Sequence, residues 1–347
     1  MELVQVFTNL EGIKRAMNRT LLLIGILVLG AFRLWGQSHM VSGSIANAEK
    51  GLVYLATFYG DRYSAVDSIQ TTSGDFHFIF DPDREAGLYR ILFSGGYIEF
   101  IFNKENVEVF VAWGERGPVP FFDNTVENQV YGEFMEYELN YEARVLIAYG
   151  LLPDADAIRN YNSIQMERDH FMDSLTYLYP DLYAIRMMNA FRSPLIPGAM
   201  SHAQRMDTLK TCFFDHAAID DPGLLNAPVY TFKIIDYLSL FKVDTLSLDQ
   251  QETQFCLAVD GIMSHVSDDP QLRSFVVEFL LQGFESLGME KVQIHMAENY
   301  LDKNCVSAVS EVLRSRMEGY TAMAIGATAP DITISDLQGT THLDFCP

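Results

Sequence analysis

T-T-S-G-D-F-H-F-I-F, at residues 71–80, places Phe76, Phe78 and Phe80 at every second position. In an extended chain the three rings share one face and His77 and Ile79 take the other, so the stretch reads as a half-buried strand. Thr72-Ser73-Gly74-Asp75 ahead of it are turn formers, and residues 65–71 alternate in the same way. The pattern predicts a β-hairpin of 65–71 with 76–80, its phenylalanine face in a core. The same period continues on both sides. Val41, Gly43 and Ile45 open it, residues 51–58 (G-L-V-Y-L-A-T-F) are rich in strand formers, and 88–93, 98–102 and 107–113 follow, with turns at 59–61, Gly95-Gly96 and 103–106. Seven or more short strands without a helical period imply an antiparallel sandwich or a partly closed barrel over residues 38–115.

The period then changes. Residues 114–123 hold Gly117-Pro118 and Pro120, which predicts a loop and a boundary. Asn124 or Thr125 is placed to cap a helix whose first turn holds Asn128 or Gln129, and Val130, Phe134, Tyr137, Tyr141 and Val145 recur at helical spacing. Up to residue 317 the reading is helical. Breaks at Pro153, Pro180-Asp181, 194–198, 220–223 and 268–270 divide it into six to eight helices, with inward faces at Tyr230, Ile234, Leu238, Phe241 and at Leu272, Val276, Leu280, Leu287. The expected class is α+β, with a sandwich or barrel-like β-domain (38–115), an all-α domain (124–318) and a short β-hairpin at 324–347.

With 49% apolar residues the 347-residue chain has enough apolar surface for sizeable cores. A net charge of −22 argues against nucleic acid as a partner. Lys14, Arg15 and Arg19 precede an apolar run at 21–32 that ends at Arg33. The run is well short of the roughly 20 residues of a membrane span. Residues 1–37 therefore read as a secretory signal peptide, with Met17 as an alternative start and cleavage near Gly36 or Gln37. Export to the periplasm or cell envelope follows, with membrane contact only through an uncleaved signal segment. Cys212, Cys256, Cys305 and Cys346 are scattered and form no C-x-x-C pair, so single buried thiols are expected.

Near the end, Gly326 and Ala329-Pro330-Asp331 lead into Ile332 and Ile334 alternating with Thr333 and Ser335. Asp336-Leu337-Gln338-Gly339 offers a turn and residues 342–345 a return strand. This order resembles the opening of the redoxin domain, the thioredoxin-like module of peroxiredoxins and of TlpA-like thiol-disulfide oxidoreductases, with Ile332 where that family usually has Phe. The frame Gly43 to Ile45, Leu52 to Leu55, Asp67 to Gln70 and Ser73 to Phe78 resembles a domain of unknown function that precedes redoxin domains in exported proteins of the Bacteroidetes. Tyr179-Pro180, Arg192-Ser193-Pro194, Phe213-Phe214-Asp215, Asp220-Asp221 and the run from Ala227 to Leu238 are similar to the helical region between the two. The resemblance implies a thiol-disulfide oxidoreductase lineage. In that family the reactive cysteines come after the point where this sequence stops, so the expectation is a truncated member without redox activity. The alternative is a non-enzymatic envelope protein that binds another envelope protein.

No side chain is expected to be catalytic, to hold a cofactor or to bind metal. Cys212 and His216, four apart with Asp215 and Asp220 nearby, could face one ion, but two ligands do not make a site and a core thiol is the simpler reading. His265 near Asp268 and Asp269, His295 with Glu298, and His170 after Glu167 and Asp169 read as surface pairs. Asp67 reads as a carboxylate satisfying backbone donors. Cys346-Pro347 lacks the following helix and second cysteine that would activate a thiol.

Overall fold

The computed structural model describes residues 38–300, apart from 49 and 116, and the backbone of 332–336 and 339–343. Residues 1–37, where a signal peptide is expected, and Cys305, Cys346 and Pro347 lie outside the described residues. Eight strands come first: β1 (His39–Ile45), β2 (Gly51–Tyr59), β3 (Arg62–Thr71), β4 (Asp75–Phe80), β5 (Gly87–Phe93), β6 (Gly96–Phe102), β7 (Val107–Gly114) and β8 (Gly117–Phe122). They form two open four-stranded sheets, ordered β4-β1-β7-β8 and β3-β2-β5-β6. The class is α+β.

The expected hairpin at 65–80 does not form. β3 pairs with β2 and β4 pairs with β1, so the turn at 72–75 carries the chain from one sheet to the other. Burial explains the choice. Nearly all of β3 is exposed, as suits an edge strand, whereas Phe76, Phe78 and Phe80 are each no more than 3% exposed and need a facing sheet. That sheet supplies Val53, Leu55, Tyr89, Ile91, Phe100 and Phe102. Phe80 meets Phe102 edge-on at 4.5 Å between centroids.

Two further expectations need correction. The sandwich is not wholly antiparallel, because β1 lies between β4 and β7 and runs parallel to β7, with Val41 opposite Val107 and Ile45 opposite Val111. Residues 117–122 are also a strand rather than a loop. Pro118 and Pro120 stand opposite Trp113 and Val111, on the last strand of the sheet, where a missing N–H can face away from the partner.

Eight α-helices follow among the described residues: α1 (Val126–Gly150), α2 (Ala155–Leu178), α3 (Tyr183–Ala190), α4 (His202–Cys212), α5 (Val229–Ser239), α6 (Leu248–Ser264), α7 (Pro270–Ser286) and α8 (Glu290–Tyr300), with a 3-10 turn at Pro222–Asn226. Their starts carry legible caps. Thr125 caps α1, Asp154 caps α2, Asp269 caps α7, and Ser201-Gln204 and Ser247-Gln250 form capping boxes on α4 and α6. Leu272, Val276 and Leu280 are buried as the spacing predicts, but Leu287 lies past the end of α7 and is 64% exposed, while Phe284 takes the inward place.

The sheet and the helices share a core. The outward side chains Phe58, Leu88 and Ile101 of the β3-β2-β5-β6 sheet join Val130, Phe134, Tyr183, Tyr230 and Phe275 in one cluster. The tip between β2 and β3 locks into this layer. Gly60 has φ +59°, its N–H donates to Leu225 O at 2.8 Å, and a Cβ there would lie 2.5 Å from the Phe275 ring. Gly60→Ala is therefore expected to cost about 2 kcal/mol, from left-handed strain plus a displaced ring. Urea unfolding measures it, and a loss within about 0.5 kcal/mol would mean that the tip does not pack as described.

At the far end, β9 (Ile332–Asp336) and β10 (Gly339–Leu343) pair antiparallel, Leu343 opposite Ile332. The second strand starts at Gly339, three residues earlier than expected.

Candidate binding groove

The edge strands of the two sheets, β6 and β8, lie on the same side of the sandwich, and α1 passes beneath them. Between the three runs a groove of about 460 Å³, lined by Tyr97 and Glu99 of β6, Pro118, Pro120 and Phe122 of β8, and Tyr131, Glu133 and Met135 of α1. The start of α1 sets its geometry. Asn128, buried, accepts from Ile101 N–H at 2.7 Å and donates Nδ2 to Ile101 O at 2.8 Å, so one side-chain amide pairs with the β6 edge as a neighbouring peptide group would. Thr125 accepts from both the backbone and the side chain of Asn128, which fixes the amide's direction. Gln129 reaches Phe122 O and Asn124 receives Glu108 N–H, tying α1 to β8 and β7.

The outer wall is aromatic and charged. The guanidinium of Arg90 lies 4.1 Å from the Tyr97 ring, 4.3 Å from Tyr63 and 5.0 Å from Phe58, and donates Nε to Glu99 at 3.1 Å. An Arg side chain held this way has little freedom, and it stiffens the two β6 side chains, Tyr97 and Glu99, that line the groove. It neutralises Glu99 and leaves Glu133, exposed on α1, with no cation paired to it among the described residues. Burial, then the charge of Glu99, push the Tyr131 hydroxyl far above its ordinary range, so it stays a neutral donor.

The polar groups singled out in the sequence gather nowhere. Among the described residues no three His, Cys, Asp or Glu side chains are arranged to hold a metal ion. His265 contacts Gly261 O and Ser264 and stacks on Phe214, while Asp269 caps α7 and Asp268 pairs with Arg273. His295 meets Asp260 at 2.6 Å rather than Glu298. Glu167 and Asp169 pair with Arg144 and Arg192, not with His170. Asp67 accepts from Ser68 N–H at the bulge in β3.

Both described cysteines are free thiols. Desolvation first, then hydrogen bonding to Asp215 and its charge, push the Cys212 thiol up. Burial and the charges of Asp260 and Glu252 do the same at Cys256 against the pull of Lys291. Neither has the electropositive setting of a reactive thiolate. With Cys305 and Cys346 replaced by serine, both should be alkylated by iodoacetamide at pH 8 more slowly than free cysteine; a faster rate at either would reveal an activated thiol.

A second concavity of about 460 Å³ lies between α5, α6 and α7, walled mainly by Leu238, Phe255, Phe279, Leu280 and Phe284. Its walls are helical, so their main-chain groups are already satisfied and it offers little to orient a ligand.

A family model described as a domain of unknown function (DUF4369) matches residues 39–132. The match takes in all eight strands and the first turns of α1, including Asn128 and most of the groove. No curated protein and no solved structure matches the chain.

Proposed function

We propose that this chain is a non-enzymatic binding protein of the cell envelope in which the sandwich and its helical layer present the β6/β8/α1 groove to a partner protein. The groove carries the reading: it combines apolar walls, an uncompensated carboxylate and a free strand edge whose Tyr97 and Glu99 are held in place by Arg90. The basic, apolar leader at 14–33 supports export. Among the described residues no helix is long and apolar enough to cross a membrane. A thiol-disulfide oxidoreductase lineage is supported by the 326–339 motif and by the paired strands β9 and β10.

The test places a benzophenone side chain at Met135, which lines the groove, and at Leu146, further along α1 and 71% exposed, in producing cells. A discrete protein adduct from position 135 alone is expected, together with no catalysis of insulin reduction by dithiothreitol. Equal labelling from both positions, no adduct, or insulin reduction would overturn the proposal.

A further inference from the structure

Two strand edges border the groove, and they differ in what they can pair with. On β8, Pro118 and Pro120 have no N–H to offer. On β6, both main-chain groups of Ile101 leave the sheet for Asn128. Outward and inward groups alternate along an antiparallel strand, so the N–H and C=O of Tyr97 and Glu99 point the same way as those of Ile101. Among the described residues no other strand pairs there. The edge is short. Gly96 approaches Pro118 at one end, and Asn128 closes the other.

Resting on the binding role above, we infer that the groove takes an extended peptide segment that adds to β6 as a strand, pairing with Tyr97 and Glu99 where Asn128 leaves off. The mode is strand addition, in which main-chain bonds give affinity and alternate side chains give selectivity. One side of the added strand faces Pro118, Pro120, Phe122 and Ile98 and takes apolar side chains. The other faces Glu133, Glu99 and the Tyr131 hydroxyl. The unpaired Glu133 carboxylate, in a chain of net charge −22, complements lysine or arginine at those positions.

The probe is a labelled, capped Lys-Val-Lys-Val-Lys-Val peptide, followed by fluorescence anisotropy with the full chain, beside two versions N-methylated at the lysines or at the valines. Each version keeps charge and side chains but loses the donors of one edge. Binding with Kd of about 10–100 μM is expected, weakened about tenfold or more in one N-methylated version, in Tyr97→Pro and in Glu133→Lys. Tyr97→Pro should leave circular dichroism unchanged and lower the melting midpoint no further than Tyr97→Ala does, because both lose the ring that stacks on Arg90 and the lost N–H points away from β5. Tyr97→Ala, which keeps the N–H and loses the ring, should bind better than Tyr97→Pro.

Strand addition would be overturned by no binding below about 1 mM, by equal binding of all three peptides, by equal loss in Tyr97→Ala and Tyr97→Pro, or by self-association through this edge that Tyr97→Pro abolishes. An adduct at Met135 that persists in Tyr97→Pro would leave the binding role standing while removing this mode of binding.

Discussion

Glu127→Ala is expected to destabilise the chain by about 4 kcal/mol, close to the upper end of what single substitutions do. Glu127 is 2% exposed, yet its carboxylate is fully used. One oxygen accepts Tyr183 N–H at 2.8 Å and Asn103 Nδ2 at 2.6 Å; the other accepts Ala184 N–H at 2.9 Å. Those amides open α3, whose own N-cap residue, Leu182, has no side chain able to cap it. The cap is imported from α1, and its negative charge sits at the positive end of the helix. Alanine would strand three donors in the interior, whereas Glu127→Gln keeps an acceptor and should lose about half as much. Urea unfolding decides it: a loss under about 1 kcal/mol for alanine would mean that water replaces the carboxylate.

Lys233→Met should act in the opposite direction, and in a pH-dependent way. Lys233 is 4% exposed, donates to Arg192 O at 3.1 Å and lies 4.8 Å from the Phe213 ring. Burial pulls its pKa from 10.5 to about 8; the charge of Asp236 opposes the fall and that of Arg168 adds to it. Between about pH 8 and 10.5 the unfolded chain holds a proton that the folded chain has shed, so stability rises with pH through that window. Below it the folded state carries a buried ammonium at a cost of about 3 kcal/mol. Methionine keeps the length without the charge and forfeits one hydrogen bond worth about 1 kcal/mol, so a net gain of about 2 kcal/mol is expected at pH 7. The gain should shrink towards pH 10.5. Unfolding midpoints at pH 7 and pH 10 measure both, and a gain independent of pH would assign the effect to packing instead.

What the sequence made legible follows from distance along the chain. Strand positions in 39–113 were readable because alternation is local, and so was the cap at Thr125; the caps at Ser201, Ser247 and Asp269 are set as locally, within one turn, but were not among the positions expected from sequence. Pairing was not. A turn such as 72–75 looks the same whether the chain doubles back in one sheet or crosses to the facing one, and only the exposure of β3 separates the two. β8 was hidden by Pro118 and Pro120, which forbid a central strand and permit an edge one. The groove escaped detection for a related reason. Asn128 could be placed in the first turn of a helix, but its partner, Ile101, lies on a different element, and an amide that pairs with a strand has no signature of its own.

The parallel pairing of β1 with β7 sets an order of events during synthesis. Val41 must wait for Val107, and the Glu127 carboxylate must wait for the amides that open α3, so the contacts that close this body join residues far apart in the chain. High contact order of this kind slows folding, because loop-closure entropy is spent before the non-local contacts form. A chain emerging from the ribosome can form the β2–β3 hairpin early but cannot finish the sheet containing β1 until β7 is available. Its first apolar strand is thus left without one of its two neighbours for most of the synthesis of the sandwich. Such a nascent chain is expected to remain unfolded and chaperone-accessible until residues beyond 111 have been made, the condition in which a polypeptide can still be threaded through a narrow pore.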